Sequence, residues 1–377
     1  MMWHCAFCSR QNSSKCILLS SCMNLGDVAH PLLILVSPWL HPHTSAMGAW
    51  AEAMALGNFS RVKEFILLGL SDKTELQVLF FILFFLAYAM VLLGNLLIIV
   101  TVRSDPKLSS PMYFLLCNLS FIDICCTTVT SPRMLVDLFS QRKAIAFESC
   151  IAQLFFLHFV GASEMFLLTV MAYDRYTAIC KPLHYTAIMS RQVCWVLVSA
   201  CWAGGFLHSI IQTLLTIQLP FCGPNTIDNY FCDVPPVIRL ACTDIYATEW
   251  LMASNSGLIS LVCFLVLVTS YTFILVTIRV RFTEEHWKAL STCASHVMVV
   301  TLFFVPCIFI YLRPFSTFPS DKHICVIYTV FSPVMNPLIY TLRNNEVKTS
   351  MWRLWKRCRV FWNKLGLQQT WSHFPRD

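Results

Sequence analysis

Long uncharged runs dominate the chain. No charge lies in the 27 residues between Glu75 and Arg103. Asp123 alone interrupts the stretch from Lys107 to Arg133, and Glu164 alone the stretch from Glu148 to Asp174. The stretches Arg191 to Asp228, Glu249 to Arg279, Lys288 to Arg313 and Lys322 to Arg343 carry no internal charge. A membrane-spanning helix needs about 20 mostly apolar residues, so seven stretches reach spanning length. Buried helices of soluble cores rarely run so far without a charge. A β-barrel would alternate apolar and polar residues, and these runs do not. The pattern predicts an all-α membrane protein, a seven-transmembrane helix bundle over residues 76–342.

Composition agrees with this reading, since 57% of the 377 residues are apolar and 12% charged. Soluble domains carry roughly 45–50% and about 25%. The Lys/Arg bias orients the bundle. The side shared with the C-terminus holds fifteen basic residues, eight of them in the tail 343–377, against five in the loops between spans on the other side. The C-terminus is expected in the cytoplasm and the N-terminus outside, at the plasma membrane. The net charge of +7 then reflects topology and tail, and points away from a nucleic-acid partner.

Nineteen cysteines fall mostly inside helices, as small apolar residues. Cys150, Cys222, Cys232 and Cys242 lie on the expected outer face, where disulfides form. Four cysteines allow three pairings, and spacing does not choose among them. A zinc site would need supporting histidines, and the loop that carries three of these cysteines has none. Residues 1–53 differ from the rest: four cysteines, clustered prolines and histidines, and apolar runs shorter than a signal peptide's core. They read as a disordered, dispensable extension, with the Cys5–Cys8 spacing incidental. Residues 54–75 follow as the outer N-terminus and carry a glycosylation acceptor at Asn58. Asn12 matches the same pattern, and Asn118 lies within the second helix.

Several motifs occur in order: PMYFLL (111–116), LSFIDIC (119–125), MAYDRYTAIC (171–180), KPLHYTAIM (181–189), SY (270–271), KALSTCASH (288–296) and PVMNPLIYTLRN (333–344). Over roughly residues 58–348 the chain resembles the vertebrate olfactory receptors, a branch of the rhodopsin-like G-protein-coupled receptors. Val334-Met335 and Phe303-Phe304-Val305 depart slightly from the family pattern. The resemblance implies a short cytoplasmic amphipathic helix after the seventh span. It also implies the pairings Cys150–Cys232 and Cys222–Cys242. The implied partners are a small odorant, membrane lipid and a stimulatory heterotrimeric G protein that raises cAMP. No enzymatic activity is expected. The alternatives are a rhodopsin-like receptor for a non-odorant ligand, or a transporter or channel, which would show internal repeats and broken helices in matched halves.

Asp123 and Glu164 are the only acids inside the seven stretches. A charge at bilayer depth costs at least ~2.5–3.5 kcal/mol and usually marks function, and two facing carboxylates repel unless they share a proton or cation. The resemblance implies a sodium or proton site in the inactive state, completed by Asn95 and Asn336, and no other cofactor. The alternative is a hydrogen-bonded plug that specifies helix packing. At the cytoplasmic edge, Asp174 and Arg175 are placed to pair locally, which lowers the cost of a near-membrane Arg. By resemblance, Asp174, Arg175 and Tyr176 couple to the G protein, Tyr271 and Tyr340 move inward on activation, and Asn336-Pro337 form a hinge. His296 is either a protonation-sensitive contact or a neutral core histidine. The implied ligand lining is Leu157, His158, Gly161, Ala162, Asn255, Ile259, Phe304, Cys307, Tyr311 and Thr329. It suits a small, mostly hydrophobic molecule with one polar handle. This set contains no acid to pair with an amine.

Overall fold

The computed structural model describes residues 62–364, apart from 72, 281–283, 314, 315 and 317. Residues 1–53 and Asn58 lie outside the described residues, as do 365–377 of the tail. The helices are α1 (Thr74–Ser104), α2 (Pro111–Asp137), α3 (Phe147–Cys180), α4 (Arg191–Ile217), α5 (Tyr246–Met252 continuing through Ala253–Leu258 and Ile259–Val280), α6 (Glu284–Tyr311), α7 (Asp321–Val326, Ile327–Phe331 and Ser332–Arg343) and α8 (Asn345–Lys364). At 1.5 Å per residue, α3 is about 51 Å long, well beyond the ~30 Å hydrocarbon core.

Six helices have the length and hydropathy of a membrane span, and α6 contributes the shorter apolar stretch His296–Tyr311. The uncharged run after Arg191 overshoots its helix, because α4 ends at Ile217. Phe221 and Ile227 beyond it are apolar because they are buried outside the bundle.

Position in the bundle follows from the balance of apolar and polar residues. α1 is the most apolar span and has only 11% of its central window buried, whereas α2 has 78% and α3 61%. α3 packs on α2, α4, α5 and α6 and forms the central post. At Gly205 of α4, a Cβ would fall on Ser163 Oγ and 2.7 Å from the Phe159 carbonyl oxygen of α3, so only glycine permits this approach. Gly257 of α5 plays the same part against the Tyr311 carbonyl of α6, at 2.6 Å. Pro132, Pro306 and Pro337 lie inside α2, α6 and α7.

The fold is not wholly helical. β1 (Glu64–Leu67) pairs antiparallel with β2 (Ala144–Ala146) and parallel with β3 (Thr226–Ile227). The small sheet caps one end of the bundle over Phe65, Leu67, Ile145, Phe147, Phe221 and Ile227. Cys150–Cys232 and Cys222–Cys242 are bonded there, with Cα atoms 5.4 and 5.9 Å apart. At the opposite end, α8 is 20 residues long, longer than the short helix expected. Val347 and Met351 dock it beside Ile98 and Val102 of α1, and Arg353 reaches Asp105 at 2.7 Å.

Candidate functional site

Near the sheet end lies a cavity of about 460 Å³, open solvent included. Leu157, Gly161 and Met165 of α3 form one stripe of its wall, with His158 and Ala162 beside them. Cys307 and Tyr311 of α6 face them. α5 and α7 each pass through a π-helical segment here, Ala253–Leu258 and Ile327–Phe331, and Ser256 and Tyr328 from these segments complete the lining. Such segments commonly accompany functional sites because they re-aim side chains. An apolar wall with a few convergent polar groups is the usual build of a small-molecule site.

The roof is the chain between α4 and α5. Its disulfide to Cys150 holds residues 229–234 inward, where Phe231 and Cys232 are fully buried and Asp233 is 1% exposed. The Tyr311 hydroxyl donates to both Asp233 oxygens, at 3.0 and 2.9 Å, and the Val234 N–H donates at 2.7 Å. His158 Nε2 stands 3.2 Å from the same carboxylate. Partners of this kind offset the cost of burying an acid. An acid is thus present beside the predicted ligand set, but His158 and Tyr311 stand between it and the cavity.

Midway along the bundle, Asn336 Nδ2 donates to both Asp123 oxygens at 2.8 and 3.0 Å. Asn95 Nδ2 donates to the Val91 and Pro333 carbonyls. Both oxygens of Glu164, which is fully buried, lack a hydrogen-bond partner among the described residues. The same holds for Asn95 Oδ1, Ser332 Oγ and Asn336 Oδ1. Every one of these atoms is an oxygen, the donor type that hard cations take, so the residues fit a sodium ion. Among the described residues no three or more His, Cys, Asp or Glu side chains gather as a metal site.

At the α8 end, Arg175 Nε and Nη2 donate to Asp174 Oδ2, and the Tyr185 hydroxyl donates to Asp174 Oδ1 at 2.8 Å. Tyr176 stacks edge-on to Phe273 of α5. Tyr271 is hydrogen-bonded to His296 Nδ1, so the histidine is a buried, partnered core residue. The Tyr340 hydroxyl has no partner among the described residues. Pro337 lies against Gly94, where a Cβ would come within 3.0 Å of the proline ring.

Of the predicted ligand set, Leu157, His158, Gly161, Ala162, Cys307 and Tyr311 line the sheet-end cavity. Asn255, Ile259, Phe304 and Thr329 do not. Asn255 donates to the His208 carbonyl, Ile259 packs against the core, and Phe304 sits between Phe264 and Phe303. Thr329 is hydrogen-bonded to Tyr230 of the roof at 2.8 Å. Cys126, Met165, His208, Ser256, Ser260, Phe303 and Tyr328 line the cavity outside the set the sequence implies, and Asp233 stands behind them. The buried run Tyr230–Val234 beside a bridging cysteine was the one available signal for Asp233.

The chain matches the olfactory receptor family over residues 84–357. Human olfactory receptor 4Q2 is 61% identical over 305 residues, covering 80% of this chain and 96% of that protein. Mouse olfactory receptor 4E2 is 61% identical over 300 residues, covering 80% and 97%. Human olfactory receptor 4Q3 is 60% identical over 296 residues, covering 78% and 95%. Seven helices, a roofed cavity near the sheet end and the Asp174–Arg175 pair at the far end of α3 accompany this match: the chain is a member of the olfactory receptor family, a multi-pass membrane receptor and not an enzyme.

Proposed function

We propose that the chain binds a small, mostly hydrophobic odorant in the sheet-end cavity and activates a stimulatory G protein, raising cAMP. In this reading the sheet end faces outside and the α8 end the cytoplasm, as the basic residues favour. The supporting observation is the buried Asp174–Arg175 pair at one end of a post whose other end lines the cavity. A ligand touching Tyr311 and Tyr328 changes how α6 and α7 sit on α3, and so shifts a pre-existing two-state equilibrium. The shift passes the Asp123–Asn336 contact and the Pro337 break in α7, where a missing backbone hydrogen bond permits bending. Separation of α6 from α3 then exposes Arg175 to the G protein.

Asp123, Glu164, Asn95 and Asn336 would hold a sodium ion in the resting arrangement, where its charge would offset the two carboxylates. Arg175→Ala should abolish ligand-evoked cAMP at unchanged surface level, measured by flow cytometry beside the cAMP assay. Unchanged signalling at equal surface level would sink the coupling role.

A further inference from the structure

Packing accounts for the other glycines described within the spans. At Gly94, Gly204, Gly205 and Gly257 a Cβ would lie 3.1 Å or less from an atom of another helix. Gly161 of α3 differs, because a Cβ there would meet nothing within 4 Å. The open space lies inside the bundle and not toward lipid: Leu157, His158, Glu164 and Met165, one turn away on the same face, are all buried. Gly161 itself lines the sheet-end cavity. A glycine in a helix interior destabilises the helix relative to alanine. No close approach requires one here, so the missing side chain serves the empty space.

The cavity runs along α3. At 1.5 Å per residue, His158 and Met165 stand about 10 Å apart on that axis, with Gly161 about 4.5 Å from His158. The end under the roof is polar. There the His158 ring lies 5.7 Å from the His208 ring and 5.6 Å from the Tyr311 ring, and Ser256 Oγ is 3.5 Å from His208 Nε2. The deep end is apolar. Phe303 lies about 12 Å from Tyr311 along α6 and lines the cavity with Met165. Gly161 stands where the polar and apolar ends meet.

We propose that Gly161 sets the length of ligand the receptor accepts. The ligand lies along α3, its polar head beside His158, His208 and Ser256, its apolar tail passing over Gly161 to Met165 and Phe303. A side chain at 161 would close that passage and leave a cavity roughly half as deep. The class favoured is an unbranched molecule of medium length with one polar end, over a compact one held under the roof. This deepens the ligand reading above and rests on it for the choice of cavity.

The test uses the full-length receptor in phosphatidylcholine nanodiscs and straight-chain 1-alkanols, butanol to dodecanol, with a diazirine at the far end. A hydroxyl head both donates and accepts, so it suits the polar end whichever protons the histidines carry. Residue-level mapping after irradiation should place short members at Leu157–Ala162 and long ones at Met165 and Phe303. Gly161→Leu should remove label from Met165 and Phe303 at every length. It should weaken competition by unlabelled decanol about tenfold or more and leave butanol within about twofold. Gly161→Ala should give an intermediate limit and raise Tm by about 1–2 °C, as a helix glycine with open space around it allows. Deep label that survives Gly161→Leu, or equal weakening of butanol and decanol, would overturn the length limit and leave the cavity reading standing. A lower Tm for Gly161→Ala would show that the space is not open and would also overturn it. Parent label confined to lipid-facing α1 positions such as Leu83 and Leu86 would overturn the ligand cavity itself, and the length limit with it.

Discussion

Asp233 joins α3 and α6 to the roof of the sheet-end cavity, so its removal has a magnitude that follows from the structure. Asp233→Ala strips partners from the Tyr311 hydroxyl, His158 Nε2 and the Val234 N–H, all in a site where the acid is 1% exposed. Each orphaned donor costs about 1–3 kcal/mol, and a water entering the space left by the carboxylate recovers part of it. A net loss of about 3–5 kcal/mol is expected. Asp233→Asn keeps one acceptor oxygen but gives up charge assistance, which roughly doubles a hydrogen bond's strength, so about 1–2 kcal/mol is lost. For a chain of this size 1 kcal/mol moves Tm by about 2 °C. Asn should lower Tm by about 2–4 °C and Ala by about 6–10 °C. The buried free thiols of Cys126, Cys307 and Cys325 make the assay direct, because a thiol-reactive dye reports their exposure on heating. Tyr311→Phe completes a double-mutant cycle. Additive Tm losses for the 233 and 311 changes, or an Ala variant as stable as the parent, would refute the reasoning.

Three other outcomes are expected. Cys150→Ser opens an 82-residue loop and Cys222→Ser a 20-residue one. Chain entropy assigns about 4.5 and 3.3 kcal/mol to the two, so surface delivery should fall further for Cys150→Ser, and the reverse order would contradict the entropic account. Burial pushes the Asp105 carboxyl up, but the Lys107 N–H, Ser350, Arg353 and Arg357 outweigh it and hold it below 3.8. A depressed carboxyl contributes stability above its unfolded value and loses it as pH falls through the folded one. α8 should therefore stay docked from pH 7 to 5 and release only below about 4, as read by Trp352 and Trp355 fluorescence; release near pH 6 would exclude Asp105 as the anchor. Sodium held by Asp123 and Glu164 in the resting form should oppose agonist binding, and Asp123→Asn should erase that effect. Equal agonist affinities for the parent in sodium and in a large organic cation would favour the packing plug.

Much of the fold is legible in the sequence because a membrane span is a one-dimensional property: about 20 residues without charge. Asp123, Glu164 and Arg175 stand out for the same reason, as charges where charge is costly. The roof was harder to see. Phe65 and Leu67 alternate with Glu64 and Ile66 as a half-buried strand should, but four residues give too short a pattern to separate from a loop. Asp233 sits in a segment with no period, and its burial depends on a disulfide and a distant strand. The π-helical segments of α5 and α7 leave no mark in hydropathy, and Ser256 and Tyr328 line the cavity where the resemblance implies their neighbours Asn255 and Thr329.

The polar groups left without partners are not scattered evenly, and their arrangement bears on which parts move. At the sheet end Asp233 is fully partnered and two disulfides fix the roof. Along α7, by contrast, Ser332, Asn336 and Tyr340 follow one another at four-residue spacing, and each has an oxygen with no partner among the described residues. That spacing puts all three on one helix face, with Pro337 removing a backbone hydrogen bond in their midst. Glu164 of α3 and His296 of α6 carry further unmatched atoms. An unpartnered buried polar atom costs about 1–3 kcal/mol, so the resting contact of α3 with α6 and α7 is poorly satisfied where the roof is well satisfied. Regions of low local stability supply the moving elements of a switch. The cavity roof is therefore the better-satisfied part, and the contact of α6 and α7 with α3 is the part that would move in the switch proposed above.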